Sequence, residues 1–207
     1  MKHVDLREKR GCGKDKALSP DERKKLLDNI TKDEHRIILI LGAYAGLRPN
    51  EICQCRFSWL EKGKFNDVEV LKINIPAEDR DARNALKIWR PKTRKSRTTY
   101  IFDNSLINEV YFWFKNHNKG LQVSRIALHK TIKNHFLPII GRDNFSTHAL
   151  RSTAQNYFLY EKNFDAKVVT IFLGHSDIRT TQKHYNSMTK ASAESYLMGV
   201  LKNERTS

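Results

Sequence analysis

The sequence predicts an α+β fold that is mostly helical, with a small antiparallel β-sheet. Ser19, followed by Pro20 and two acidic residues, is a typical helix start, and that helix is expected to reach about Ile30. The apolar run from Ile37 to Leu47 is too short to cross a membrane and indicates a buried core helix. Val68 to Ile75 alternates apolar and polar residues, which is typical of a half-buried strand.

The remaining elements follow from local signals. After a polar loop, Pro76 to Asn84, two strands, Ala85–Pro91 and Arg97–Phe102, are expected to form a hairpin around the basic turn Lys92 to Ser96. The other expected helices run from Asp33 to near Gly46, from Asn50 to Gln54 with Pro49 in the first turn, from Leu106 to His117, from Arg125 to Phe136 before a stop at Pro138, through His148 and Arg151, from Ala166 to Phe172, around Tyr185, and from about Lys190 to Leu201.

The domain organisation is expected to be simple. Residues 1–17 carry mixed charge and no periodic pattern, which predicts a flexible lead-in or linker stub. Residues 18–207 are expected to form one domain, and residues 186–207 its C-terminal tail. The cysteines Cys12, Cys53 and Cys55 lack the spacing of a disulfide framework or a zinc site, so a reducing cytoplasm is expected and no metal.

The charge favours an anionic polymer as the partner. The chain has 38 basic and 23 acidic residues, a formal net charge of +15. Nucleic acid, and double-stranded DNA in particular, is the partner that this balance favours. A merely soluble basic surface is the alternative on charge alone, and no membrane association is expected.

A cluster of phosphate-directed residues decides between these alternatives. His148 and Arg151 are spaced i, i+3, so a helix would present both on one face. Leu173-Gly174-His175 follows, and then Tyr185, whose phenol oxygen is a candidate nucleophile. Taken singly, each motif is more often a surface or packing feature, and their joint order carries the inference.

In this order the motifs resemble the catalytic core of the tyrosine recombinase, or phage integrase, family. Its pattern is an arginine in G-L-R-x-x-E, a lysine on a β-hairpin, H-x-x-R, L-G-H and a tyrosine. The matching catalytic positions in this chain are Arg48, Lys92, His148, Arg151, His175 and Tyr185. The family usually places its tyrosine one residue closer to the L-G-H histidine, where this chain has His184.

The resemblance implies a tyrosine recombinase catalytic-domain fold and a specific chemistry. Arg48 and Arg151 would stabilise charge on the scissile phosphate, with Glu51 as a supporting carboxylate. His148 would be the base and Lys92 the general acid, with Lys95 as the rival lysine. The product would be a 3′-phosphotyrosyl link, so no cofactor is expected.

Other basic residues are candidate DNA contacts. They are Arg94, Lys95 and Arg97 near the expected hairpin tip, and Lys130 and Lys133 on an expected helix. For the helix pair, a solvated surface is an equal alternative. The apolar stripe within Asn186 to Ser207 suggests self-association on DNA, against the alternative of packing on its own domain.

The function that the sequence predicts is site-specific recombination, with integration or excision of a mobile element favoured over chromosome dimer resolution. Family members usually carry a separate N-terminal DNA-clamping domain, and residues 1–17 are too short to form one. A natural minimal form and a catalytic fragment both remain open. A non-catalytic DNA-binding protein with this fold and a tyrosine-type topoisomerase are the alternative functions.

Overall fold

Helices dominate the part of the chain that the computed structural model describes, residues 16–65, 68–80 and 89–174. One three-stranded antiparallel sheet lies among them. The expected fold class, mostly helical α+β with a small antiparallel sheet, is therefore confirmed. Within these ranges no helix combines the length and the apolar character needed to cross a membrane.

The described helices and strands are short, and the three strands follow one another between two groups of helices. The α-helices are α1 (Pro20–Asn29), α2 (Asp33–Ala43), α3 (Pro49–Gln54), α4 (Asn104–Asn116), α5 (Arg125–Thr131), α6 (Leu137–Ile140), α7 (Thr147–Asn156) and α8 (Ala166–Leu173). A 3₁₀ turn spans Phe57–Trp59, and π-helical turns span Ile132–Phe136 and Tyr157–Glu161. The strands are β1 (Leu60–Phe65), β2 (Val68–Ile75) and β3 (Arg97–Ile101).

Helix α1 begins where the sequence predicts. The Ser19 hydroxyl accepts from the Glu22 N–H, and the Glu22 carboxylate accepts from the Ser19 N–H, which is a complete capping box. The chain is already packed just before this cap. Arg142 donates to the carbonyls of Lys16 and Ala17 at 3.0 and 2.9 Å, so the last two residues of the expected lead-in contact the domain.

Helix α2 is the centre of the hydrophobic core. Every residue from Ile37 to Ala43 is buried, as the apolar run predicted, and α7 packs against this helix. The sheet covers another side of the core through Leu71, Ile73 and Ile75 of β2. Helix α7 and the sheet therefore both pack on the core that α2 forms.

The sheet order is β1-β2-β3, and both pairings are antiparallel. Strand β2 occupies the predicted range, and Ile73 lies opposite Leu60 on one side and Thr99 on the other. Strand β1 was not predicted, because its sequence, LEKGKF, has no clear alternation and an internal glycine. Its pairing with the apolar strand β2 overrides that weak local preference.

The predicted hairpin of Ala85–Pro91 with Arg97–Phe102 is not what the described residues form. Strand β3 pairs with β2, while the backbone of Trp89 pairs with Asp79. The Trp89 ring lies against Trp59, with ring centroids 5.3 Å apart. This aromatic contact and the backbone pair give Trp89 a different partner from the one expected. Residues 81–88 lie outside the described ranges.

The predicted stop at Pro138 is also wrong. The Leu137 N–H donates to the carbonyl of Ile132, five residues back, so the helix widens into a π-turn before the proline. Pro138 then lies in the first turn of α6, where its missing N–H is not needed. The helical path ends instead at Gly141, which has a φ of 74°.

Candidate functional site

Arg48 lies immediately before α3 and is fixed by Glu51 one turn later. The Glu51 carboxylate accepts from the Arg48 backbone N–H at 2.7 Å and from its Nη1 at 2.9 Å. Glu51 is only 1% exposed. The same carboxylate therefore orients both the backbone amide and the guanidinium of Arg48, as expected of a supporting carboxylate.

Arg151 connects three elements beneath Arg48. It lies on α7 and donates from Nη1 to the Gly46 carbonyl at 2.6 Å and from Nη2 to the carbonyl of Leu173. Arg48 Nη2 donates to the next carbonyl, that of Gly174, at 2.7 Å. The two arginines thus bind the C-terminal end of α8, directly before His175 in the sequence.

Arg97 has a role that the sequence did not indicate. It lies on β3 with its side chain 7% exposed and donates from Nη2 to Glu51 Oε2 and from Nη1 to the Phe172 carbonyl. This placement revises the expectation of an exposed phosphate contact, since an arginine so buried and so paired has little surface for DNA. Glu51 is therefore shared by Arg48 and Arg97.

The charges of this cluster do not balance. Three guanidiniums, those of Arg48, Arg97 and Arg151, surround the Glu51 carboxylate. Burial alone raises the pKa of the Glu51 carboxyl, but Arg97 and the Arg48 N–H and guanidinium outweigh it, and the net pKa is lowered. Burial, with repulsion from Arg97 and Arg48, lowers the pKa of Arg151 well below its usual value. An added anion would relieve that repulsion.

A basic cleft of about 290 Å³ opens beside this cluster. Its lining includes Arg48, Lys92 and His148, three of the residues singled out from the sequence. His148 and Lys92 are both exposed, so their side chains can reach a ligand in the cleft. Arg151 is 9% exposed and lies beneath Arg48. Its bonds to the Gly46 and Leu173 carbonyls join it to the turn after α2 and to the end of α8.

The cleft also contains residues that the sequence did not single out. They are Trp89, Arg90, Pro91 and Arg125, together with Pro49 and Asn50 at the start of α3. Arg125 follows the predicted helix cap Ser124, whose hydroxyl accepts from the Ala127 N–H at 3.1 Å. Nothing in the local sequence separates Arg125 from any other exposed arginine; only the packing of α5 against α3 brings it here.

The other candidates occupy different positions. Lys95 and Arg94 are exposed in the loop after Lys92 and do not line the cleft, whereas Lys92 does, which favours Lys92 over its rival. Lys130 and Lys133 are exposed and lie outside the cleft. His175, Tyr185 and the tail lie outside the described residues.

The two cysteines among the described residues are packed in the core. Cys53 and Cys55 are both buried, and burial raises the pKa of the Cys55 thiol. Among residues 16–65, 68–80 and 89–174, no group of three His, Cys, Asp or Glu side chains could hold a metal ion.

Comparison with known proteins agrees with this architecture. The model of the phage integrase family matches residues 16–192. Tyrosine recombinase XerA of Pyrococcus horikoshii is 26% identical over 184 residues, which is 84% of this chain and 58% of the relative. This chain therefore spans little more than half of that relative's length.

Solved structures share the fold. The crystal structure of XerA recombinase has a TM-score of 0.61 at 20% identity and covers 91% of this chain and 65% of its own. The Tn1549 transposon integrase in complex with transposon right end DNA has a TM-score of 0.54 at 17% identity, over 89% of this chain and 66% of its own. With the family match extending over most of its length, the chain belongs to the phage integrase family, as a tyrosine recombinase catalytic domain.

Proposed function

We propose that this chain cleaves and rejoins double-stranded DNA as a site-specific recombinase, with Tyr185 as the nucleophile. One observation carries the proposal. A buried cluster of three arginines and one carboxylate lies beneath a basic cleft that also contains Lys92 and His148. A phosphodiester is the group that such an unbalanced cluster would bind, and the family supplies the reaction class.

The transition state explains why the arginines are fixed so firmly. Attack on phosphorus increases the negative charge on the non-bridging oxygens, and donors held in place stabilise that charge most. The Arg48 guanidinium has five N–H donors, more than its bonds to Glu51 and Gly174 use, so others can reach a phosphate in the cleft. Arg151 contributes positive charge from below.

The protons in the proposed reaction balance. The Tyr185 hydroxyl oxygen forms a bond to phosphorus while the bond from phosphorus to the 5′ oxygen breaks, and His148 accepts the phenol proton. The ammonium of Lys92 donates a proton to the leaving 5′ oxygen. His175 would donate a further hydrogen bond to the phosphate. Rejoining reverses these steps, so the bond energy is conserved in the 3′-phosphotyrosyl link.

A nicked suicide substrate tests the proposal. Duplexes from the DNA that flanks the coding gene, each with a nick beside the candidate cleavage site, should give a covalent protein–DNA adduct that survives denaturing electrophoresis. Tyr185→Phe should bind the same duplexes and form no adduct. Tyr111 lies on α4, packs its ring against Phe57 and does not line the cleft. Tyr111→Phe is therefore the matched control and should form the adduct normally.

Other outcomes of this test identify the alternatives. An adduct that persists in Tyr185→Phe, or that maps to another tyrosine, would remove Tyr185 from its role. DNA binding without any adduct would indicate a non-catalytic protein. Relaxation of supercoiled plasmid without strand exchange would indicate a topoisomerase.

For the biological role we propose integration or excision of a mobile element. The Tn1549 transposon integrase, solved with transposon DNA, shares the fold, as do Xer recombinases. Sequencing the genomic DNA in the covalent adducts distinguishes integration or excision of a mobile element from chromosome dimer resolution. Cleavage at the ends of one insertion supports the proposal, and cleavage at a single chromosomal site opposes it.

We also propose that copies of the chain associate on DNA through the tail, residues 186–207. The support is its apolar stripe, which includes Leu197, Val200 and Leu201. A chain that lacks residues 190–207 should fold and bind DNA but lose cooperative assembly in a gel-shift titration. If the shortened chain is insoluble, the tail belongs to its own domain.

A further inference from the structure

The segment before Lys92 is joined to Asp79, ten residues before Trp89, by an isolated backbone pair. The Asp79 N–H donates to the Trp89 carbonyl at 2.8 Å, and the Trp89 N–H donates to the Asp79 carbonyl at 3.0 Å. Two reciprocal bonds fix residue 89 against residue 79. We call this contact the Asp79–Trp89 bridge.

The side chain of Asp79 connects this bridge to the end of α3. Asp79 is 9% exposed, and its Oδ2 accepts from Trp59 Nε1 at 3.2 Å and lies 3.2 Å from Arg56 Nε. Both partners lie in the turn that follows α3, the helix whose first turn presents Arg48 and Glu51. A carboxylate this buried requires such partners.

The aromatic contact makes the connection more rigid. The rings of Trp59 and Trp89 lie 5.3 Å apart at a tilt of 36°, and Trp59 is 4% exposed in the core. Trp89, Pro91 and Lys92 all line the cleft that also contains Arg48. A continuous path of contacts thus joins the end of α3 to the backbone beside Lys92.

A lysine that acts as a general acid needs such support. Its side chain is a flexible stem, and the ammonium must come within about 2.6–3.2 Å of the oxygen that it protonates. Lys92 is exposed in a loop rather than in a strand, so its own pairing cannot position it.

We propose that Asp79 is a positioning residue for the general acid. It fixes the Asp79–Trp89 bridge against Trp59 and Arg56, and the bridge sets the distance from the Lys92 backbone to the phosphate site. The proposal rests on the proposed function, with Lys92 as the acid. Its effect should therefore depend on whether the leaving group needs a proton.

A substrate with sulfur in place of the bridging 5′ oxygen at the cleavage site makes this distinction. A thiol has a pKa near 8.5, against about 15.7 for water, so a sulfur leaving group departs as the thiolate without a proton. The bond from phosphorus to sulfur breaks, and the phosphotyrosyl link forms as before. Loss of the general acid then matters little.

Cleavage rates are measured on matched oxygen and sulfur duplexes for the intact chain and its variants. On oxygen, Lys92→Ala should lose about 10²–10⁴ in rate, and Asp79→Ala about tenfold or more. On sulfur, both variants should return to within about threefold of the unsubstituted chain. Asp79→Asn keeps the side-chain volume, should show the same pattern with a smaller loss, and serves if Asp79→Ala does not fold.

Asp103→Asn is the matched control. The Asp103 carboxylate caps α4 by accepting from the Ser105 N–H at 3.1 Å, and Asp103 does not line the cleft. Any rate change in this variant should be the same on oxygen and sulfur. Thermal unfolding of each variant reports its stability separately.

Two results would overturn the proposal. One is a loss in the Asp79 variants of equal size on both substrates, which is the behaviour of a purely structural residue; the other is no loss on oxygen. Failure of sulfur to rescue Lys92→Ala is a different result, because it would remove Lys92 as the acid and thereby contradict the proposed function itself.

Discussion

Glu51 is the residue on which the arginine cluster depends. It is 1% exposed, binds Arg48 through both backbone and side chain, and forms an ion pair with Arg97. The motif G-L-R-x-x-E predicted the contact with Arg48, because the two residues are three positions apart on one helix start. The contact with Arg97 joins α3 to β3 over a long sequence separation, and no local pattern could reveal it.

Glu51→Gln should destabilise the protein, since it leaves buried guanidiniums without their counter-charge. We expect a loss of about 3–5 kcal/mol in the free energy of unfolding, the range for removing one partner of a buried ion pair. Glu109→Gln is the control: about one quarter of each side chain in its pair with Arg36 is exposed, so the loss should be smaller than that of Glu51→Gln.

The loss should depend on pH in a defined direction. The pKa of Glu51 is lowered in the folded state from an ordinary value of 4.5, so its contribution is complete above that pH. It disappears as the pH falls through the lowered pKa. Urea unfolding of the unsubstituted chain and of Glu51→Gln across this pH range checks the prediction. A difference between their free energies of unfolding that stays constant or grows in acid would contradict it.

Arg151→Lys should abolish most of the cleavage while retaining the charge. One ammonium cannot reproduce the two directed bonds to the Gly46 and Leu173 carbonyls, which need the arginine fork. By analogy with the removal of one oxyanion donor, we expect a loss of about 10²–10³ in rate. Arg36→Lys, which alters a similar fork bound to Glu109, should cleave normally. Near-normal cleavage by Arg151→Lys would show that the two directed bonds of Arg151 are not needed for the reaction.

At the scale of elements, most local signals were reliable, with the helix stop expected at Pro138 as an exception, whereas the contacts between distant elements were not predicted. The Ser19 cap, the buried run from Ile37 and the alternation of β2 each predicted an element correctly. The partners of Trp89 were missed because Asp79 lies in a stretch that was interpreted as a polar loop, and Trp59 comes much earlier in the chain. The sequence could predict that Lys92 lies in a basic turn but not what positions that turn.

The turn after α2 offers a test of how tightly the elements pack around the site. Gly46 has a φ of 69°, and a Cβ there would lie 2.3 Å from Leu173 Cδ2, a fully buried side chain. Gly141 has a φ of 74° and would meet nothing within 4 Å. Both positions need glycine for the backbone, but only Gly46 needs it for space.

Gly141→Ala should therefore cost about 1–2 kcal/mol of stability, the strain of an L-residue in the left-handed region. Gly46→Ala should cost about 1–3 kcal/mol more, because Leu173 must shift. The shift should also reduce the cleavage rate, since the Leu173 carbonyl accepts from Arg151. Chemical unfolding and the suicide-substrate assay measure the two effects, and equal stability losses in the two variants would show that α8 can move away from α2.

At the scale of the whole molecule, the net charge of +15 predicted an anionic partner but not where it binds. The structure adds a candidate location, because Arg48, Lys92 and His148 line one cleft. It also divides the basic residues into groups. Arg97 forms a buried ion pair with Glu51, whereas Arg94 and Lys95 are exposed two and three residues after Lys92. The exposed pair is therefore the better candidate for contacts with the DNA backbone.

Salt dependence separates local contacts from net charge. Each phosphate contact contributes about −0.9 to the slope of log affinity against log salt, so the unsubstituted chain should show a steep slope. The double variant Arg94→Ala, Lys95→Ala should reduce that slope by about 1 for each lost contact. The double variant Lys24→Ala, Lys25→Ala removes the same charge from exposed positions on α1 that do not line the cleft, and should leave the slope unchanged.

The double variant Lys130→Ala, Lys133→Ala tests the remaining pair of candidate DNA contacts in the same way. Fluorescence anisotropy with a labelled duplex from 50 to about 200 mM salt measures all four proteins. Equal slopes for the Arg94 and Lys24 variants would show that net charge, rather than the loop beside Lys92, governs binding.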